Sequence, residues 1–173
     1  HDDISFTAWT ATNSMPTEAG NYYLANDVTI SSTWNVPSGT TNLCLNGHGI
    51  VMNGTNRVIT VSSGRTLNLY DCGTEAVHKF TVTNPSDGGA GLAKVNDSLE
   101  SGYQTFTGGY ITGGQGGQGG GVYIAGGTFN MHGGNIIGNH AQGSMYYDGG
   151  GVALSENTNS RFVMTGGAIQ YNT

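Results

Sequence analysis

The 173-residue sequence predicts an all-β fold, a parallel β-helix built from stacked repeats. Three observations point to it: an excess of glycine, a shortage of charged and helix-forming residues, and a motif that recurs after about 30 residues. The chain contains 31 glycines but only 3 prolines, and charged residues make up 9% of it. Because the glycines follow no three-residue period, collagen is excluded. The hydrophobic share of 36%, in alternating patterns, excludes disorder.

The repeat is clearest near the C-terminus. Gly119–Ile124 (GGGVYI) recurs as Gly149–Leu154 (GGGVAL), and Phe129–Ile136 (FNMHGGNI) recurs as Phe162–Ile169 (FVMTGGAI). Fainter copies of the same pattern lie upstream, at Leu43–Gly47, Ile59–Val61, Leu67–Leu69 and Phe106–Ile111. A fixed period of about 20–50 residues indicates a solenoid, a propeller or an array.

Short alternating apolar stretches within each repeat favour the solenoid. Three short strands per repeat describe one turn of a parallel β-helix, whereas a propeller blade needs four strands and about 40–50 residues. The alternation predicts which side chains face the core, namely Val122, Ile124, Phe129, Met131 and Ile136. It directs Tyr123, Asn130 and His132 outward. At equivalent corners, Asn139 and Asn172 are expected to hydrogen-bond along a ladder and to tolerate left-handed backbone angles.

Three sequence stretches carry a resemblance to a known family: Leu43–Ile50 (LCLNGHGI), Thr66–Cys72 (TLNLYDC) and the doubled GGGV…FxMxGGxI motif. They resemble the pectin-lyase-like right-handed β-helix regions of secreted and surface proteins of anaerobic bacteria. The resemblance covers the chain roughly from Asn21 to the end and implies a right-handed helix. Members include adhesin-like surface proteins, polysaccharide-degrading enzymes and non-catalytic carbohydrate-binding modules of plant-cell-wall hydrolases, so several activities stay open.

We expect one domain over residues 1–173. Residues 1–20 lack the repeat, and Ile4, Phe6 and Trp9 are expected to cover the first turn as a terminal cap. Residues 84–103 and 140–148 break the period and are predicted to be loop insertions. The chain begins and stops abruptly against this pattern, which predicts a segment of a longer protein.

The charge balance narrows the class of partner. Five Lys and Arg against eleven Asp and Glu leave a net charge of −6. Without a basic stripe, nucleic acid and anionic membrane surfaces are unfavourable partners, as are polyanionic substrates such as pectate. Abundant hydroxyl and amide groups suit a neutral polysaccharide. The two cysteines, Cys44 and Cys72, are too few for a disulfide scaffold; they allow one bridge or a buried free pair, and the free pair is the simpler interpretation.

Catalysis is not expected. A glycoside hydrolase needs two carboxylates about 5–10 Å apart, but the outward positions of the repeat strands hold none of the eleven. Asp71 is expected to cap a turn. The five histidines lack zinc-ligand spacing. No cofactor is predicted, although calcium could bind to loop carboxylates of Asp87, Asp97, Glu100 or Asp148.

Aromatic residues give the best candidate site, because tyrosine and tryptophan rings stack on sugars while polar groups orient them. The predicted ligand-binding residues are Tyr146, Tyr147 and Asp148 in an insertion, together with Tyr123, Asn130 and His132. Trp34, Tyr103 and Tyr110 are further aromatic candidates, although Trp34 is expected to pack in the fold.

The sequence supports three hypotheses on function. The first is a non-catalytic carbohydrate-binding module for a neutral, xylan-like plant polysaccharide, a monomeric part of a larger secreted or surface enzyme. The second is a structural or adhesin-like solenoid. The third is a fragment of a polysaccharide lyase or glycoside hydrolase.

Overall fold

The computed structural model describes residues 3–83, 91–142, 149–156 and 158–173. These residues form eighteen β-strands and no helix, so the all-β prediction is confirmed. The strands, in chain order, are β1 (Thr7–Trp9), β2 (Asn21–Leu24), β3 (Val28–Ile30), β4 (Trp34–Asn35), β5 (Gly39–Cys44), β6 (Gly49–Met52), β7 (Ile59–Ser62), β8 (Arg65–Tyr70), β9 (Val77–Thr83), β10 (Leu92–Val95), β11 (Gln104–Thr107), β12 (Tyr110–Thr112), β13 (Val122–Ala125), β14 (Thr128–Met131), β15 (Asn135–Ile137), β16 (Val152–Leu154), β17 (Arg161–Met164) and β18 (Ala168–Gln170).

Fifteen of the strands form three parallel sheets, which we number 1 to 3 in the order in which the chain first enters them. Sheet 1 has the spatial order β1-β2-β5-β8-β14-β17, sheet 2 has β3-β6-β12-β15-β18, and sheet 3 has β4-β7-β13-β16. From β2 onward the chain visits sheets 1, 2 and 3 in that order and then begins again. Among the described strands, only β9 to β11 interrupt this order. Each round therefore adds one strand to each sheet.

The strand register matches the sequence repeat. In the two C-terminal repeats, Val122 lies opposite Val152 and Phe129 lies opposite Phe162. The fainter upstream copy continues the rows, with Ile59 opposite Val122 and Leu67 opposite Phe129. Equivalent residues of successive repeats are thus neighbours across the sheets, as the sequence predicts.

One apolar core is lined by side chains from all three sheets. All five residues predicted to face it, Val122, Ile124, Phe129, Met131 and Ile136, are fully buried. Burying one such side chain contributes about 1.5–3 kcal/mol to the free energy of unfolding. Because the rows run from strand to strand, each repeat buries its apolar face mainly against its neighbours.

The asparagines at one corner form the predicted ladder. The backbone N–H and the Nδ2 of Asn139 both donate to Oδ1 of Asn172, at 2.9 and 3.0 Å. The expectation of left-handed angles at these asparagines is wrong, because the positive φ values fall one residue earlier, at Gly138 (67°) and Tyr171 (50°). Glycine reaches this region without a Cβ clash, which suits it to the corner.

Strands β9, β10 and β11 form an antiparallel sheet that covers the outer side of sheet 2. Phe80 and Phe106 of this sheet pack on Tyr110 and Ile137 in a second, smaller core. The prediction of a plain loop over residues 84–103 misses strand β10, because its pairing with β9 is antiparallel and leaves no trace in the repeat period. Residues 84–90 lie outside the described part of the chain.

The N-terminal segment joins the sheet system. Strand β1 pairs in parallel with β2 at the edge of sheet 1, Met15 enters the core, and Trp9 packs against it. Phe6 contacts the ring of Tyr70 on the outer side of sheet 1. Cys44 and Cys72 form a disulfide bond, so the interpretation as a free pair is wrong. Neighbouring strands β5 and β8 bring them together, with Cα atoms 6.1 Å apart.

Candidate functional site: the outer face of sheet 1

Strand alternation sorts the side chains of sheet 1 into two faces. On β8, Leu67 and Leu69 are buried in the core, and Thr66, Asn68 and Tyr70 point outward and are half-buried. The neighbouring strands repeat this arrangement in register. The outer face therefore carries parallel rows of like side chains that run across the strands.

The central row is a ladder of four asparagines. Asn42 donates from Nδ2 to Oδ1 of Asn21, Asn68 donates to Asn42, and Asn130 donates to Asn68, each at 2.7 Å. The ladder ends at Asn130, because the next strand places Val163 in that position. A carboxamide has two N–H donors and two acceptor lone pairs, so the ladder bonds leave further donors and acceptors on each asparagine.

A second row consists of rings. The imidazole of His132 stacks on the ring of Tyr70, with centroids 4.8 Å apart and planes 12° apart. Nδ1 of His132 is hydrogen-bonded to the hydroxyl of Thr165 at 2.8 Å, which fixes the orientation of the ring. His132 itself is exposed. Tyr23 lies in the same row two strands from Tyr70, and the disulfide-bonded Cys44 separates the two rings.

A third row consists of threonines. Thr40, Thr66 and Thr128 lie opposite one another on β5, β8 and β14. We call the three rows together the ladder face; it comprises Thr40, Thr66, Thr128, Asn21, Asn42, Asn68, Asn130, Tyr23, Tyr70 and His132. None of these described residues has a carboxylate, and the ladder face is a hydroxyl- and amide-rich surface with rings along one side.

Asp71 lies beside the ladder face, and the backbone already engages its carboxylate. Its Oδ1 accepts the N–H groups of Gly47 (2.9 Å) and Gly73 (3.2 Å), and its Oδ2 accepts the N–H of Gly109 (2.7 Å). A Cβ at Gly108 would collide with this carboxylate. The prediction that Asp71 caps a turn is confirmed.

The structure brings together two of the six residues predicted to bind a ligand. Asn130 and His132 lie two positions apart on the ladder face. Tyr146, Tyr147 and Asp148 lie outside the described residues. Tyr123 points outward from sheet 3, with the guanidinium of Arg57 4.3 Å from its ring centroid. One ring face of Tyr123 is therefore covered. Partial burial lowers the pKa of Arg57, and the nearby Tyr123 opposes that shift.

The three further aromatic candidates are not equivalent. Trp34 and Tyr110 are buried, at 6% and 5% exposure, so neither ring offers a stacking surface. Burial, followed by the negative charges of Asp27 and Asp97, raises the pKa of Tyr110 well above its ordinary value. Tyr103 is exposed, and Nζ of Lys79 lies 4.7 Å from its ring centroid.

The carboxylates named for calcium do not converge in the described part of the chain, where no three His, Cys, Asp or Glu side chains are close enough to hold a metal ion. Asp97 instead pairs with Nδ1 of His78 at 2.8 Å and accepts the N–H of Lys79 at 2.7 Å. Glu100 is exposed. Asp87 and Asp148 lie outside the described residues.

Asn42 and Asn68 also belong to the ladder face, although the sequence analysis does not name them as ligand-binding residues. Both stand between apolar or small core-facing neighbours, in TNL and LNL, just as Asn130 stands in FNM. An asparagine at the same offset in successive repeats was the signal that could have identified the whole ladder.

No helix of membrane-spanning length and hydropathy occurs among the described residues. A scan against protein-family models and searches of curated proteins and of solved structures return no match.

Proposed function

We propose that the chain is a right-handed parallel β-helix whose ladder face binds a neutral polysaccharide without catalysis. The cyclic visiting order of the three parallel sheets supports the helix. Parallel strands of one sheet that are joined by a crossover are almost always connected in the right-handed sense, which supports the handedness.

The asparagine ladder is the observation that carries the binding proposal. Its rungs repeat with the strand spacing of about 4.8 Å, which is close to the length of one sugar unit in an extended glycan. A glycan lying across the strands would meet one carboxamide per unit, with threonine hydroxyls on one side and the Tyr70–His132 stack on the other. Such a row of donors and acceptors matches the hydroxyl groups of a neutral sugar chain.

The charge of the face favours a neutral ligand and opposes catalysis. The ladder face has neither the cations that a polyanion needs nor a pair of carboxylates for hydrolysis. We therefore favour a xylan-like plant polysaccharide as ligand. The chain would act as a monomeric, non-catalytic module of a larger secreted or surface enzyme, since such glycans lie outside the cell.

Affinity electrophoresis in gels that contain xylan, mixed-linkage glucan or mannan tests the proposal. We expect at least one neutral glycan to retard the protein, and we expect His132→Ala and Asn130→Ala to reduce the retardation. Asn53→Ala is the matched control, because Asn53 is an exposed asparagine outside the ladder face. Unchanged mobility in all three glycans would refute glycan binding and leave a structural solenoid as the better account.

A further inference from the structure

A groove of about 550 Å³ lies outside the ladder face. One wall is the N-terminal segment 13–17, and the other is the segment 30–38 that contains β4. Nε1 of Trp34 donates to the carbonyl of Pro16 at 2.9 Å and ties the two walls together. The groove is therefore preformed, and its volume lies within the usual range for small-molecule sites, about 300–1,000 Å³.

The lining of this N-terminal groove combines apolar and hydroxyl groups. Met15, Ile30 and Trp34 contribute the apolar part and are themselves almost fully buried. Hydroxyl side chains, among them Ser31 and Ser38, contribute much of the polar part. Because these side chains are almost fully buried, they present only small apolar edges to the groove, and its hydroxyl groups are the part that matches the hydroxyl rim of a sugar ring.

One charge distinguishes the groove from the ladder face. Among the described residues that line it, Arg65 alone is charged. Nη1 of Arg65 donates to the carbonyl of Val36 at 2.7 Å, which positions the guanidinium at the groove. Arg65 forms no ion pair with a carboxylate in the described part of the chain. A guanidinium has five N–H donors, so most of them are left for a ligand.

We propose that the N-terminal groove binds a sugar acid, a hydroxylated ring that carries one carboxylate. The carboxylate contacts the guanidinium of Arg65, and the ring occupies the groove within reach of the serine hydroxyls. Arginine binds carboxylates through paired, charge-assisted hydrogen bonds, which gives orientation as well as affinity. A single cation fits a single acidic group, such as an acidic side sugar on an otherwise neutral glycan, and not a polyanionic chain.

Calorimetric titration with free D-glucuronate tests the groove independently of the ladder face. Wild-type protein is titrated with glucuronate, glucose and acetate. We expect saturable binding of glucuronate alone, and Arg65→Gln should weaken it by about tenfold or more, the loss typical of a charge-assisted hydrogen bond. Lys94→Gln is the control, because Lys94 is an exposed residue of β10 and does not line the groove, so the change removes one positive charge elsewhere. Thermal unfolding of each variant shows that it is folded.

A second set of measurements distinguishes free glucuronate from glucuronate side groups on xylan, and binding at the N-terminal groove from binding at the ladder face. Xylan with glucuronate side groups should bind more tightly than the same xylan after their removal, and Arg65→Lys should abolish most of that preference. The ladder variants Asn130→Ala and His132→Ala should leave the binding of free glucuronate unchanged. No glucuronate binding, equal binding of acetate, or full binding by Arg65→Gln would each overturn the proposal, whatever the outcome at the ladder face.

Discussion

At the residue scale, the ladder asparagines differ in how many ladder bonds they make. Asn68 both donates to Asn42 and accepts from Asn130, whereas Asn130 only donates. Because a hydrogen bond contributes about 0.5–1.5 kcal/mol net, we predict that Asn68→Ala lowers the free energy of unfolding by about 1–3 kcal/mol and Asn130→Ala by about half as much. Urea unfolding of both variants measures this. Equal losses would mean that the ladder bonds contribute nothing beyond the packing of the side chain.

Replacing Thr41 is predicted to raise the free energy of unfolding, whereas replacing a ladder asparagine lowers it. It lies in the inner row of sheet 1 opposite Leu67, is fully buried, and its hydroxyl has no hydrogen-bond partner among the described residues. Burying an unpaired hydroxyl costs about 1–3 kcal/mol in proteins. Thr41→Val keeps the shape and removes the hydroxyl, so we predict an increase of about 1 kcal/mol in the free energy of unfolding. A lower unfolding midpoint in urea would show that the hydroxyl is satisfied in solution.

At the element scale, His78 of β9 adds a polar contact to the apolar packing that attaches the antiparallel sheet to the rest of the fold. Nε2 of His78 lies 2.9 Å from the carbonyl of Gly47, on the connection between β5 and β6, and its Nδ1 lies 2.8 Å from Asp97. The ring is buried and packs beside Phe106 and Tyr110. The imidazole therefore joins the sheet to the corner between sheets 1 and 2 by both hydrogen bonding and packing.

We predict that His78→Ala loosens the antiparallel sheet selectively. The backbone amides of β9, β10 and β11 should lose about 2 kcal/mol of protection against hydrogen exchange, because a buried polar contact and its packing are removed together. The amides of β7, β8, β13 and β14 should keep theirs. Val77→Ala is the control, since Val77 is the preceding residue and is 61% exposed. A uniform loss over all strands would show that the sheet unfolds only with the whole molecule.

The elements that the sequence predicts well are those that repeat. Val122 and Val152, or Phe129 and Phe162, are equivalent in the sequence and neighbours in space, because a stacked strand meets its own counterpart. Strand β10 was missed, since an antiparallel pair needs no repeated motif and its sequence, LAKV, is short. The contact of Arg57 with Tyr123 and the position of Arg65 at the groove cannot be predicted from the sequence either, because both depend on how side chains from distant parts of the chain approach each other.

At the scale of the whole molecule, scarcity of charge has two consequences. The rows of sheet 1 can stack like side chains at the strand spacing because asparagine, threonine and leucine do not repel one another, whereas charged residues directly opposite would. The same neutrality leaves an outer face suited to hydroxyl groups. Fold and proposed binding surface therefore depend on one compositional feature.

Side-chain amide NMR during a titration with a neutral xylo-oligosaccharide tests the central claim most directly. The account predicts saturable shifts of the carboxamide signals of Asn42, Asn68 and Asn130, with those of Asn53 unchanged. Shifts confined to residues outside the ladder face, or no saturable shift at any ladder asparagine with xylan-, glucan- or mannan-derived oligosaccharides, would contradict it.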